Sequence, residues 1–130
     1  MDIVSATFVE NIDLRQVPGP STRIDLSGIM FSVPAPSAPP VTITPHLIVL
    51  VHCHPHEDGQ GILEVVFKNS KDEQVARNVS PFNVEPGKFT YRLVKGELTY
   101  EELGTIEAHC RLMPDGPATV VPLTLLPPAS

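Results

Sequence analysis

Fifteen prolines in 130 residues restrict this chain more than any other feature of its sequence. Each proline fixes its own φ and lacks an amide proton, so a chain carrying about twice the usual 5% of them is cut into pieces too short for most helices. Between the breaks, apolar and polar residues alternate, as in Arg23-Ile24-Asp25-Leu26, which sends one set to each face of an extended strand. Eight segments carry such a pattern: 3–9, 22–33, 46–54, 62–68, 74–79, 88–94, 105–113 and 118–126. Antiparallel strands at short spacing without helical patterns between them predict an all-β fold. The expected form is an immunoglobulin-like β-sandwich of about eight strands, with a small cupin-like β-barrel as the alternative.

Turn chemistry fills several gaps. Glu57-Asp58-Gly59-Gln60-Gly61 has glycines that accept positive φ and an aspartate that caps its own backbone, which predicts a hairpin. Asn69-Ser70-Lys71-Asp72-Glu73 and Pro114-Asp115-Gly116-Pro117 predict two more. The Pro-rich stretch 34–45 reads as an extended loop, its alternative being a ligand for an aromatic groove. Thr99 followed by Glu102 mimics a capping box and would allow a short helix over 99–103, although Leu98, Tyr100 and Gly104 also fit an alternating strand.

The chain is long enough to enclose a core as one domain, 1–130, and its 42% hydrophobic and 18% charged residues place it far from disordered compositions. A net charge of −6 with nine scattered Lys and Arg argues against nucleic acid, whose phosphates need a clustered basic face. The longest apolar run, 47–51, is far shorter than the roughly 20 residues of a membrane-spanning helix. With acidic Asp2 and Glu10 flanking a short apolar run, the N-terminus does not read as a signal peptide. A soluble, cytoplasmic protein without membrane association is therefore expected.

His52-Cys53-His54-Pro55-His56-Glu57-Asp58 is the chemically richest segment. Strand alternation puts His52 and His54 on one face, where two imidazoles can share a divalent metal, and Glu57 or Asp58 could complete a two-histidine, one-carboxylate set. His52, His54, His56 and Glu57 are thus the candidate metal ligands, while the competing reading makes them exposed residues of a polar turn with no cofactor. Cys53 and Cys110 both share parity with apolar neighbours and are expected as buried thiols. No Gly-x-Ser-x-Gly, phosphate loop or His-Glu-x-x-His motif is present, so no catalytic residue is assigned.

The stretch from Val51 to Val66 resembles the first cupin motif, His-x-His followed by Glu, and that resemblance implies a metal-dependent enzyme using His52, His54 and Glu57. It departs from the pattern where Val65-Val66-Phe67-Lys68 carries no glycine, and Pro86-Gly87 is not followed by a histidine. Across its whole length the chain is similar to a family of small, uncharacterised bacterial β-sandwich proteins. The likeness lies in the order of segments and in Gly104-Thr105-Ile106-Glu107, Asp115-Gly116 and Val121-Pro122-Leu123-Thr124-Leu125. It implies the sandwich and carries no catalytic residue. Three functions follow as expectations: an interaction or accessory module with a protein partner, a cupin-like metal enzyme, and a structural subunit that forms homo-oligomers through strand edges.

Overall fold

The computed structural model describes residues 1–17 and 21–129, Ser21 and Thr22 by backbone alone. Residues 18–20 and 130 lie outside the described residues. Eleven strands and no helix are present among the described residues: β1 (Asp2–Val17), β2 (Ser21–Met30), β3 (Ser32–Pro34), β4 (Val41–Ile43), β5 (His46–His52), β6 (Gln60–Lys68), β7 (Gln74–Asn83), β8 (Phe89–Lys95), β9 (Leu98–Tyr100), β10 (Gly104–Leu112) and β11 (Thr119–Leu126). They form a four-stranded sheet in the order β2-β1-β5-β8 and a five-stranded sheet in the order β3-β11-β10-β6-β7; a small third sheet pairs β4 with β9.

Alternation decides which residues enter the core between the sheets. Leu47, Val49 and Val51 of β5 point inward opposite Phe8, Ala6 and Ile3 of β1. Leu63, Val65 and Phe67 of β6, Ile106, Ala108 and Cys110 of β10, and Val121, Leu123 and Leu125 of β11 meet them from the five-stranded sheet. Burying each large apolar side chain contributes about 1.5–3 kcal/mol, which makes this shared layer the main source of stability. Along one side, Arg92 of β8 donates to the Ser80 hydroxyl of β7 through Nε (3.1 Å) and Nη2 (2.5 Å), tying the edge strands of the two sheets together.

All eight segments read from the sequence fall on strands, and the all-β sandwich stands. Both large sheets keep separate edge strands among the described residues, so the closed cupin-like barrel is not formed. The 22–33 segment divides at Phe31 because the chain leaves the four-stranded sheet there, and β3 then pairs with β11 in parallel. The Pro-rich stretch 34–45 is not loop throughout: Val41–Ile43 forms β4, with Val41 buried against the core. No helix occupies 99–103. Leu98 and Tyr100 alternate inward as β9, and the buried Tyr100 hydroxyl donates to the Leu123 carbonyl at 2.7 Å.

Two of the three expected hairpins close as read, β6–β7 and β10–β11. In the first, the Asn69 side-chain oxygen accepts from the amides of Lys71 (2.9 Å) and Glu73 (3.0 Å). The segment 57–61 is different. It carries the chain from β5 in one sheet to β6 in the other, so it is a crossover and not a hairpin. Gly59 makes that crossing possible: at φ 81° its backbone lies so close to Val84 that a Cβ would collide with the Val84 carbonyl.

Candidate functional site

At one end of the four-stranded sheet, Asp2, His52 and His54 come together. His52 ends β5, and His54 follows two residues later on the same side, as strand periodicity requires. Asp2 reaches them through a β-bulge. The β1–β5 ladder pairs Ser5 with Leu50, then resumes with Ile3 opposite Val51 and Asp2 opposite His52, leaving Val4 as the extra residue. In an uninterrupted ladder Val4 would oppose Val51, and Asp2 would move one place along onto inward parity. The bulge instead sends Ile3 to the core, exposes Val4 and turns Asp2 outward.

One ligand atom from each of Asp2, His52 and His54 lies within 4.8 Å of the others, and His54 Nε2 is 2.7 Å from an Asp2 carboxylate oxygen. The rings of His52 and His54 meet edge-on at 5.1 Å between centroids, and Phe89 of β8, opposite His52, packs against its ring at 4.6 Å. Of the four ligands expected from the sequence, His52, His54, His56 and Glu57, only the first two join this group. Glu57 pairs with the Met1 amino group and accepts the His54 amide at 3.0 Å, and both contacts hold its carboxyl below the ordinary value. Its place beside the imidazoles is taken by Asp2. His56 is exposed and stacks on His54 at 5.7 Å, outside the group.

The outer faces of the two large sheets differ in chemistry. On the five-stranded sheet, the buried Glu64 of β6 accepts from Arg77 Nη2 (2.7 Å) and Nε (3.0 Å) and from Arg111 Nε (2.9 Å). These contacts hold the Glu64 carboxyl below its usual value against the opposing cost of burial. Nearby, His109 Nε2 is buried and lies 3.4 Å from Glu107 without the geometry of a hydrogen bond.

The outer face of the four-stranded sheet is apolar by contrast. Phe89, Tyr91 and Leu93 of β8 stand opposite His52, Leu50 and Ile48 of β5. Phe89 is 63% exposed and Leu93 44%. Beyond this strip the distal part of the β1–β2 hairpin forms the other wall of a groove of about 790 Å³, with Leu14 and Ile24 facing Leu50, Phe89 and Tyr91. Arg15, Arg23 and Lys88 also line the groove, and no carboxylate does among the described residues. Arg15 is paired with Asp25 and Lys88 with Glu85 at the surface. Gly28, at φ 70° opposite Glu10, sits within the hairpin where an added Cβ would strike the Glu10 side chain.

Cys53 and Cys110 are free thiols, fully buried, and burial pushes the Cys110 thiol up to about 12. Neither is placed to act as a nucleophile. No family model matches the chain, and no curated protein matches it.

Proposed function

We propose that this chain is a non-enzymatic binding module, an immunoglobulin-like sandwich that receives an acidic, apolar segment of a partner protein on the outer face of its four-stranded sheet. The observation that carries this reading is the groove between the β1–β2 hairpin and β5–β8. Leu14, Ile24, Leu50, Phe89 and Tyr91 give it apolar walls between polar side chains, and it is of the size that encloses a few side chains. Three of the nine Lys and Arg of a chain with net charge −6 line it. Charge at such a rim selects the partner and speeds its approach, while the exposed aromatic and aliphatic side chains supply the burial. The ion pairs that Arg15 and Lys88 make are exposed and weak, so an incoming carboxylate can exchange with them. A cytoplasmic location belongs to the same reading, since two buried free thiols suit a reducing compartment.

Selection from a displayed random peptide library tests the proposal. Peptides that combine Asp or Glu with large apolar residues should be enriched, and Phe89→Ser or Lys88→Glu should weaken them by about tenfold or more, the loss expected from an interface anchor. No enrichment, or enriched peptides that bind both variants unchanged, would overturn it. A second copy of the chain is the competing occupant. Light scattering that shows a dimer abolished by Phe89→Ser would assign the face to self-association and remove the partner reading.

A further inference from the structure

We propose that Asp2, His52 and His54, brought together by the β1–β5 register, form a binding site for a divalent transition metal. Two imidazoles and one carboxylate are a donor set suited to zinc and its neighbours, and poorly suited to magnesium or calcium, which prefer oxygen alone. Ligand atoms around a tetrahedral zinc stand about 3.3 Å apart, given bonds of about 2.0–2.1 Å. Here they already lie within 4.8 Å of one another, and the closest pair is at 2.7 Å. Rotation of side chains is enough to close the set, because Asp2 is exposed and His54 is half-exposed.

The surroundings hold the site in shape. Asp2 and His52 are fixed as direct partners on neighbouring strands. His54 is anchored through its backbone amide to Glu57, which leaves that carboxylate engaged with the Met1 amino group and out of the ligand set. Phe89 packs on the His52 ring at the sheet surface, which holds that imidazole in place, while the half-exposed His54 ring is free to turn toward a metal. Three protein ligands at an open sheet end leave room for water or an outside ligand to complete the coordination. The site lies apart from the proposed peptide groove in all but Phe89, and it does not depend on that groove being occupied.

The test is a calorimetric zinc titration of the full chain carrying no added N-terminal residues, with the visible spectrum of the cobalt-substituted protein as a second readout. One zinc per chain is expected, along with a cobalt spectrum of tetrahedral intensity. Asp2→Asn, His52→Ala and His54→Ala should each weaken zinc by about tenfold or more, while His56→Ala leaves it within a few-fold. Circular dichroism checks the fold of each variant. If His52→Ala does not fold, the exposed Asp2 and half-exposed His54 variants decide the matter. No saturable zinc uptake, uptake unchanged in those variants, or an equal loss in His56→Ala would each overturn the assignment.

Discussion

Asp2 stands directly opposite His52 while Val4, two residues away, has no partner in the ladder. The pairing therefore makes no use of Val4, which the strand loops out. Deleting Val4 would convert the bulge into a regular ladder in which Ile3 still opposes Val51 and Asp2 still opposes His52. This deletion should change stability by less than about 1 kcal/mol, as for an exposed surface position, and should leave zinc uptake intact. Thermal unfolding with and without zinc checks it. A large loss of stability, or a folded variant without zinc response, would show that the bulge does more than set register.

Acid should act on this protein partly through Glu64. Its carboxyl is lowered in the folded state by Arg77 and then Arg111. A lowered folded value means the stabilisation is fully present above the unfolded carboxylate value, about 4.3, and is lost as pH falls through the folded value. Glu64→Gln should cost about 2 kcal/mol at neutral pH, since a buried acceptor for two guanidinium groups is weakened. It should also flatten the decline in urea midpoint below about pH 4.3. An unchanged pH profile in the variant would contradict the assignment.

Tyr100→Phe removes one hydroxyl from a buried site and leaves the Leu123 carbonyl without that donor. Burial holds the phenol well above its ordinary titration range, so the group donates as a neutral hydroxyl throughout the working pH range. The expected cost is about 1–1.5 kcal/mol, read as a drop of about 4 °C in Tm. An unaltered Tm would mean that β9 is held by apolar packing alone.

The thiols of Cys53 and Cys110 should resist a bulky thiol reagent at pH 8 in the native protein and react with it in denaturant. Both side chains are fully buried, and burial pushes the Cys110 thiol up to about 12. Fast reaction of either one in the native state would place it at the surface.

The sandwich is legible in the sequence because its evidence is local. Proline punctuation and two-residue alternation mark strands wherever one face is buried, and every one of the eight marked segments lies on a strand. β4 and β9 are harder to read. Three residues are too few to show a period, and the pairing of Val41 with Tyr100 and Ile43 with Leu98 joins segments about 57 residues apart. The crossover at Gly59 resembles a hairpin in sequence because both need glycine at positive φ, and what distinguishes the two is that β5 and β6 lie in different sheets, which no local signal reports. Parity alone finds His52 and His54. It misses Asp2, because nothing around that residue in the sequence points to β5; its position follows from a one-residue bulge in a ladder with a partner 50 residues away.

The most direct measurement on the proposed binding function is an amide-resolved NMR titration of the isotopically labelled chain with a library-selected acidic, apolar peptide. Saturable shifts should map to Phe89–Lys95, Leu50 and the hairpin residues around Leu14 and Ile24, and they should vanish in Phe89→Ser. Shifts centred instead on the Glu64, Arg77 and Arg111 face, or none at saturating peptide, would contradict the account.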